Sequence, residues 1–289
     1  MKRLITIYDL ISIEKISNDV DGFIVGSDLF STRLTKSFSI EEINTIIDIC
    51  ISIDKEVFLI ANQMFTDQQL EDFVKNIKKI SYTKLTGIII ADIGALVSLS
   101  ELGINDKVIY NPETLLTNSI DFNYLSDDNV FGAYVAKEIT LDDILTIGKE
   151  KKHQLFMLGH GHLNMFYSKR KLLDNYQEFV ESNQDLTNLQ NLKIIEPKRE
   201  DNPYPILQDG AGTHVFRSKV MNSLDYLDQL KEVVDYLVID TIFKNDDYGI
   251  DVAKLYNKKY DKNAIESFIN KYNEEWDNGF LDRKTYYKR

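Results

Sequence analysis

The stretch GIIIAD, residues 87–92, decides the fold class of this chain of 289 residues. Its apolar residues are consecutive rather than alternating, which is typical of a strand buried on both faces of a parallel sheet. Similar short runs recur along the chain, and each is followed by a longer amphipathic stretch. Seven such strand-then-helix units come before residue 163, and they predict a parallel sheet covered by helices.

The pattern changes after residue 163. A polar connector over 181–191 is followed by three short runs separated by Pro, Asp and Gly, which predict antiparallel strands. An eighth buried strand is predicted at 236–240. We therefore expect an α/β chain with a (β/α)8, TIM-barrel-like fold, in which residues 1–162 and 223–289 form the barrel. Residues 163–222 would form a small β-containing insertion between strands seven and eight that is not an independent domain. An open doubly wound sheet also fits the alternation, but no GxGxxG follows any strand.

Several helix starts carry capping signals. Ser39, with Glu42 three residues on, has the pattern of a capping box. Asp67 and Thr140 are predicted N-caps of the next two long helices. Helices are also predicted around Leu115, over 168–179, over 223–233 and over 250–280.

Composition limits the classes of function that this chain could have. The chain has 34 basic and 46 acidic side chains, a net charge of −12, so contact with nucleic acid would need a local basic patch. Two patches exist, Lys169-Arg170-Lys171 and the tail 282–289; solvated surface is their commoner role, and contact with RNA or a partner is the alternative. The single cysteine, Cys50, excludes an internal disulfide framework. No apolar run is long enough for a membrane helix and no signal peptide is evident, so we predict a cytoplasmic protein.

Polar side chains end every predicted barrel strand. The functional face of such a barrel lies at the C-terminal ends of its strands, although turn residues are often polar in any case. This mixture of carboxylates, amides, a lysine and a histidine is suited to a small polar or anionic molecule. The residues are Asp9, Ser27, Asp28, Asn62, Gln63, Asp92, Asn111, Lys137, Glu138, His160 and Asp240.

The pair His160-Gly161-His162 leaves three interpretations open. It could belong to a metal site with His214 and a carboxylate from Glu196, Asp209 or Asp240. One histidine could be a general acid or base. The third interpretation is a structural histidine bonded to its surroundings. Neither GxSxG nor HExxH occurs, so motifs support neither a serine peptidase nor a metallopeptidase.

The chain resembles the collagenase-like peptidase family U32. Residues 160–174, HGHLNMFYSKRKLLD, are similar to the signature His-Gly-x-Leu-Cys-x-x-x-Ser-Gly-Arg-Cys-x-Leu-Ser. Residues 204–206 (YPI), Asp209 and 212–216 (GTHVF) are similar to the family's YPI, ED and GTHVF stretches. Residues 136–140, AKEIT, resemble its RELS segment, with Lys137 for arginine. Asn62, Asp92 and 238–240, followed by the helix of Tyr256, also occur in the expected order.

This resemblance implies two kinds of activity. The family is named for peptidases, whereas several members serve in hydroxylation, either of the wobble uridine of transfer RNA to 5-hydroxyuridine, drawing on prephenate, or of ubiquinone precursors. Those members usually hold an iron–sulfur cluster on four cysteines. Here Asn164 and Lys171 replace the two signature cysteines, and Met221-Asn222 stands where the family has Asp-Leu-Cys. We therefore expect no cofactor in this chain.

The resemblance favours a short, cluster-less subunit that acts with a longer cysteine-bearing paralogue in transfer RNA 5-hydroxyuridine formation, with transfer RNA as a possible direct partner. A peptidase, a non-catalytic binding subunit and a ubiquinone-type accessory are the alternatives. The candidate catalytic residues are His160, His162, His214 and Glu138. The candidate substrate-binding residues are Asn62, Asp92, Asn111, Lys137, Tyr204, Asp209, Arg217 and Asp240. Candidates for RNA or partner contact are Lys169, Arg170 and Lys171, and no metal ligand is predicted.

Overall fold

Eight parallel strands close into a barrel in the computed structural model, which describes residues 1–198 and 200–283. Strands β1 to β7 pair in chain order, and β11 closes the ring between β7 and β1. The predicted (β/α)8 fold is thereby confirmed. The strands are β1 (Lys2–Thr6), β2 (Gly22–Gly26), β3 (Glu56–Ala61), β4 (Gly87–Ile90), β5 (Val108–Tyr110), β6 (Gly132–Tyr134), β7 (Gln154–Ser168), β8 (Lys193–Ile194), β9 (Tyr204–Asp209), β10 (Gly212–Asn222), β11 (Tyr236–Ile239) and β12 (Trp276–Asp277).

The GIIIAD segment shows why the barrel strands are apolar throughout. Ile89 points into the barrel and packs with residues such as Phe58 and Phe156, whereas Ile88 and Ile90 face the surrounding helices. Inside the barrel, the rings of Phe156 and Tyr236 stack with centroids 4.4 Å apart. These large side chains fill the barrel interior, so open space remains at its mouth.

Helices cover the outside of the ring. Ser39 and Glu42 form the predicted capping box, and Thr140 caps as predicted. The cap of α3 is Thr66 rather than Asp67, because the Thr66 hydroxyl accepts from the N–H of Gln69. The helices are α1 (Ile11–Ile16), α2 (Ile40–Ser52), α3 (Asp67–Ile77), α4 (Ile93–Glu101), α5 (Ser119–Asn123), α6 (Leu141–Glu150), α7 (Leu172–Phe179), α8 (Leu227–Leu230), α9 (Asp246–Asn257) and α10 (Lys262–Tyr272).

Four helix predictions differ from the structure. The helix predicted over 223–233 is a 3-10 turn over Leu224–Tyr226 followed by the four-residue α8. Leu115 lies in a loop before α5, and residues 168–171 precede α7 rather than belonging to it. The tail predicted as one helix over 250–280 is divided into α9, α10 and β12. None of the helices within residues 1–198 and 200–283 is long and apolar enough to cross a membrane.

The insertion grows directly out of a barrel strand. β7 is 15 residues long; its first half lies in the ring, and its second half pairs antiparallel with β10. β9 and β8 extend this antiparallel arm as predicted, and β12 pairs with β10 in parallel. The predicted boundary between residues 162 and 163 therefore lies inside β7. This continuity holds the arm over the C-terminal mouth of the barrel.

Candidate functional site

A small polar cavity lies at the C-terminal mouth of the barrel. Its volume is about 100 Å³. Four of the predicted binding residues, Asn62, Asn111, Lys137 and Asp240, meet here with His162. The other lining residues are Thr6, Ile24, Arg33, Ile60, Glu113, Tyr134, Val135, Leu158, Asn164, Phe216 and Val238.

Arg33, Glu113 and Lys137 form the charged centre of this mouth. Arg33 Nη2 donates to Glu113 Oε1 at 2.5 Å, and the Lys137 ammonium donates to Glu113 Oε2. Burial alone would raise the pKa of the Glu113 carboxyl, but the charges of Arg33 and Lys137 hold that pKa below its ordinary value. Sequence reasoning missed Arg33 and Glu113 because both lie in loops beyond the strand ends.

The backbone of both missed residues is left-handed. Arg33 has φ +56° and Glu113 has φ +67°, a conformation that costs a non-glycine residue on the order of 1–3 kcal/mol. Local hydrogen bonds hold it in place. The Arg33 N–H donates to Asp209 Oδ2 at 2.9 Å, and the Glu113 N–H donates to Asn111 Oδ1 at 3.1 Å. Strained backbone thus directs two opposite charges towards the cavity.

Thr32 joins the barrel to the insertion. Its hydroxyl lies 2.6 Å from Asp209 Oδ2 and 2.7 Å from His214 Nε2. Burial opposes ionisation of Asp209, but its interaction with His214 and the hydrogen bonds from Thr32 and the Arg33 N–H lower its pKa to about 2. As a carboxylate Asp209 only accepts, so Thr32 donates to Asp209 and accepts from the Nε2–H of His214. The Tyr167 ring stacks on His214 at 4.3 Å.

The deep burial of His214 and Thr32 does not favour a catalytic role for His214. Its side chain is fully buried and Thr32 is 1% exposed, so neither reaches a substrate in the mouth. Burial also lowers the pKa of His214. His214 and Asp209 instead hold β9 and β10 against the loop that carries Arg33, and the predicted catalytic function of His214 stays a prediction.

His160 lies behind the barrel wall. Its Nε2 lies 2.7 Å from the hydroxyl of Tyr248, which donates to Glu274 Oε2 at 2.9 Å. The Tyr248 oxygen must then accept from His160, so His160 carries its proton on Nε2. Its ring contacts Tyr256 and Trp276. Burial holds the pKa of His160 well below its usual value, and the side chain is fully buried.

His162 stands between the mouth and a second cavity. Its Nδ1–H donates to the Arg217 carbonyl at 2.9 Å, which leaves Nε2 to accept from Lys244 Nζ at 3.2 Å. Burial, followed by the charge of Lys244, lowers the pKa of His162 to about 4, so the ring is neutral at pH 7. The second cavity, of about 530 Å³, lies between the insertion, the loop at Phe243 and residues 272–275.

The two histidines that stand together in sequence are separated in space. Gly161, with φ +137°, bends β7 between them. His160, His162 and His214 have separate sets of partners, and residues 1–198 and 200–283 contain no group of three or more His, Cys, Asp or Glu placed to hold a metal. The metal interpretation of the histidines is therefore not supported.

Four further candidates lie outside the mouth cavity. Glu138 is exposed and lines neither cavity. Asp92 caps α4 by accepting from the N–H groups of Gly94 and Ala95. Tyr204 is half-buried at the start of β9, and Arg217 pairs with Asp277. Their predicted functions stay predictions.

The basic cluster lies at the junction of β7 and α7. Lys169, Arg170 and Lys171 are exposed, and Lys169 Nζ donates to the Met64 carbonyl at 2.7 Å. Of the second basic patch, the tail 282–289, residues 284–289 lie outside the described residues.

The positions of the family's cysteines do not fit a cluster in this chain. The Asn164 amide donates to the Phe166 and Val215 carbonyls, and Lys171 precedes α7. The Asn222 amide donates to the Asp277 carbonyl. Cys50 lies elsewhere, in α2, where burial raises the pKa of its thiol to about 12. These neutral amides and an ammonium cannot replace the thiolates that bind iron–sulfur clusters.

The fold and the mouth define a (β/α)8-barrel protein with a small charged site at the C-terminal ends of its strands. The chain belongs to Peptidase family U32, whose model matches residues 12–285. It is 25% identical to tRNA hydroxylation protein P2 of Bacillus subtilis (strain 168) over 285 residues, 92% of either chain.

Two other proteins are similar to this chain. An uncharacterized protease of Methanocaldococcus jannaschii is 25% identical over 268 residues, which are 86% of this chain and 64% of that protein. A U32 peptidase of solved structure superposes with a TM-score of 0.51 at 12% identity, over 83% of this chain and 92% of that one. At this identity the solved structure supports the fold alone.

Proposed function

We propose that this chain takes part in the hydroxylation of transfer RNA, as the cluster-less subunit of a pair whose cysteine-bearing paralogue supplies the redox centre. The observation that carries this proposal is the similarity to tRNA hydroxylation protein P2, which extends over 92% of both chains. The product would be 5-hydroxyuridine at the wobble position, formed in the cytoplasm with prephenate as co-substrate.

The residues at the family's cysteine positions support a pair of chains in which only the paralogue holds the cluster. Asn164, Lys171 and Asn222 cannot hold iron, so a cluster must come from another chain. A partner is therefore part of the proposal rather than an addition to it.

The charge distribution indicates where RNA would approach. Residues 163–222 contain eight basic and eight acidic side chains, whereas the other residues contain 26 and 38. Polyphosphate is repelled by the acidic remainder, and least by the insertion, which carries Lys169, Arg170 and Lys171. We therefore assign the RNA or partner contact to the insertion side of the mouth.

A deletion strain tests the proposal. Nucleoside mass spectrometry of its transfer RNA should show loss of 5-hydroxyuridine and its derivatives, restored by the wild-type chain. Charge reversal of Lys169, Arg170 and Lys171 to Glu should restore it poorly. The matched control reverses three exposed lysines at the junction of α9 and α10, Lys258, Lys259 and Lys262. Unchanged 5-hydroxyuridine in the deletion strain would refute the proposal.

Peptidase activity is the second candidate, and the family name favours it. The hydroxyl of Thr32 is buried and bonded to Asp209 and His214, which leaves it unsuited to attack a peptide. Digestion of casein or gelatin by the purified chain, with metal analysis of the same sample, separates the two functions. A binding subunit without catalysis would digest neither substrate and would capture the paralogue in a pull-down.

A further inference from the structure

The carboxylate of Glu113 occupies the space between two buried cations. The side chains of Arg33 and Lys137 are 9% and 10% exposed, whereas Glu113 is 28% exposed. All three line the mouth cavity. One oxygen of Glu113 binds Arg33 and the other binds Lys137, so a single carboxyl group bridges both cations. This is the geometry in which a bound carboxylate or phosphate is held by an arginine and a lysine.

The two cations are more deeply buried than the carboxylate that bridges them. The loop of Arg33 is held by two side chains, since the Arg33 N–H donates to Asp209 and the neighbouring Thr32 N–H donates to Asn62 Oδ1 at 2.9 Å. Lys137 directly follows β6 and the short Val135-Ala136 connection, both buried. The Glu113 backbone is held too, since its N–H donates to Asn111 Oδ1 and its carbonyl accepts from the Lys137 N–H at 3.2 Å, but its side chain is the most exposed of the three. Rotation of the Glu113 side chain alone would uncover the cations and would leave these backbone hydrogen bonds intact.

We propose that the barrel mouth is an oxyanion-binding site and that Glu113 is its built-in occupant, which a carboxylate or phosphate group of a small ligand replaces between Arg33 and Lys137. Glu113 itself lines the mouth cavity, so its release also enlarges the space beside the two cations. Asp240 lines the same cavity. The oxyanion end of the ligand therefore lies on the side of Arg33 and Lys137.

Binding at this site does not depend on RNA or on a paralogue, so it stands apart from the proposed function. Isothermal titration of the purified chain at low ionic strength is the measurement, with potassium phosphate in one arm and potassium malonate in the other. The arm that gives heat identifies the oxyanion as a phosphate or a carboxylate. Absence of binding in both arms, for the wild type and for Glu113→Gln, overturns the proposal.

Single substitutions test whether an anion replaces Glu113 between Arg33 and Lys137. Glu113→Gln removes the competing charge and should bind the anion at least tenfold more tightly than the wild type. Arg33→Gln and Lys137→Met should each reduce affinity at least tenfold. The matched control is Glu150→Gln, which removes the same charge from the exposed end of α6 and should leave affinity unchanged.

Thermal unfolding of each variant shows that the barrel is intact. If Glu113→Gln fails to fold, Glu113→Asp replaces it, because the shorter side chain cannot bridge both cations and should also strengthen anion binding. Equal affinity of wild type and the Glu113 variant, or retained affinity in Arg33→Gln, contradicts the proposal.

Discussion

At the scale of single residues, one hydroxyl joins the two halves of the molecule. Thr32 has one proton to donate, and Asp209 takes it, so His214 must donate from Nε2. The Nδ1 of His214 is then a buried acceptor without a hydrogen-bond partner. The position of Thr32 in the chain carries no motif, which is why sequence reasoning named Asp209 and His214 but missed the residue that connects them.

Removal of the Thr32 hydroxyl tests this connection. Thr32→Val keeps the shape of the side chain but leaves Asp209 and His214 without their shared partner. We expect the free energy of unfolding, measured by urea denaturation, to fall by about 2–4 kcal/mol. Thr45→Val is the control, because Thr45 is exposed on α2, and its effect should stay within about 0.5 kcal/mol. Equal effects of the two changes would contradict the network.

Asp240 predicts a pH-dependent effect. Burial raises the pKa of its carboxyl to about 6, against the hydrogen bonds from Ile242 and Thr6. In the folded state Asp240 keeps its proton up to about pH 6, whereas in the unfolded chain it loses that proton near pH 4. The free energy of unfolding therefore falls as the pH rises from about 4 through 6.

Asp240→Asn should therefore stabilise the protein at neutral pH. The amide cannot ionise, so we expect a gain of about 1–3 kcal/mol above pH 7 that disappears below about pH 4. Urea denaturation at both pH values measures it. Asp106→Asn, which removes an exposed carboxyl, controls for the loss of one negative charge. A gain in the free energy of unfolding that appears only at low pH would be opposite to this expectation and would refute it.

At the scale of elements, β7 is where prediction and structure diverge most. Its barrel half was predicted from apolar residues that end at Leu158. The second half continues through Gly159 and Gly161, which sequence reasoning takes as a strand end. It is stabilised by pairing with β10, more than 40 residues later in the chain, and such a partner cannot be seen locally. The capping boxes of α2 and α6 were predictable because their contacts lie within four residues.

Gly212 tests the junction of the arm with β7. It has φ +143°, and a Cβ atom there would lie 2.0 Å from the Ser168 carbonyl oxygen. Gly212→Ala should reduce the free energy of unfolding by at least about 2 kcal/mol. Gly210→Ala, two residues earlier, is the control, because its Cβ would meet no heavy atom within 4 Å. Thermal unfolding of both variants decides; a Gly212→Ala variant as stable as the control would contradict this geometry.

At the scale of the whole molecule, barrel and insertion share their structural elements. β7 runs from the barrel into the insertion and pairs there with β10, and β12 returns from the C-terminal segment to pair with β10. Trp276, the single tryptophan, lies in β12 and contacts His160 at 4.9 Å between ring centroids. Its fluorescence therefore reports on the junction between barrel and arm.

We expect the chain to unfold in one transition. Tryptophan fluorescence and far-UV circular dichroism, followed together through urea denaturation, should give the same midpoint, because Leu207 and Phe216 of the insertion pack against Ile242 of the barrel. A fluorescence midpoint clearly below the circular dichroism midpoint would show that the arm separates first, and would contradict the continuity of β7. Trp276→Phe, followed by circular dichroism, is the control for any effect of the probe residue on the midpoint.

The sequence by itself determined the barrel. Consecutive apolar residues in several of the early strands favour burial on both faces, and helices of amphipathic pattern supply the outer layer. It also identified Asn62, Asn111, Lys137 and Asp240, because the carboxyl ends of parallel strands must meet at one end of the ring. Tertiary structure alone brought Arg33 and Glu113 to that end and separated His160 from His162. The physical reason is that loop conformation, backbone strain and long-range strand pairing depend on contacts between residues far apart in the chain, which no local pattern records.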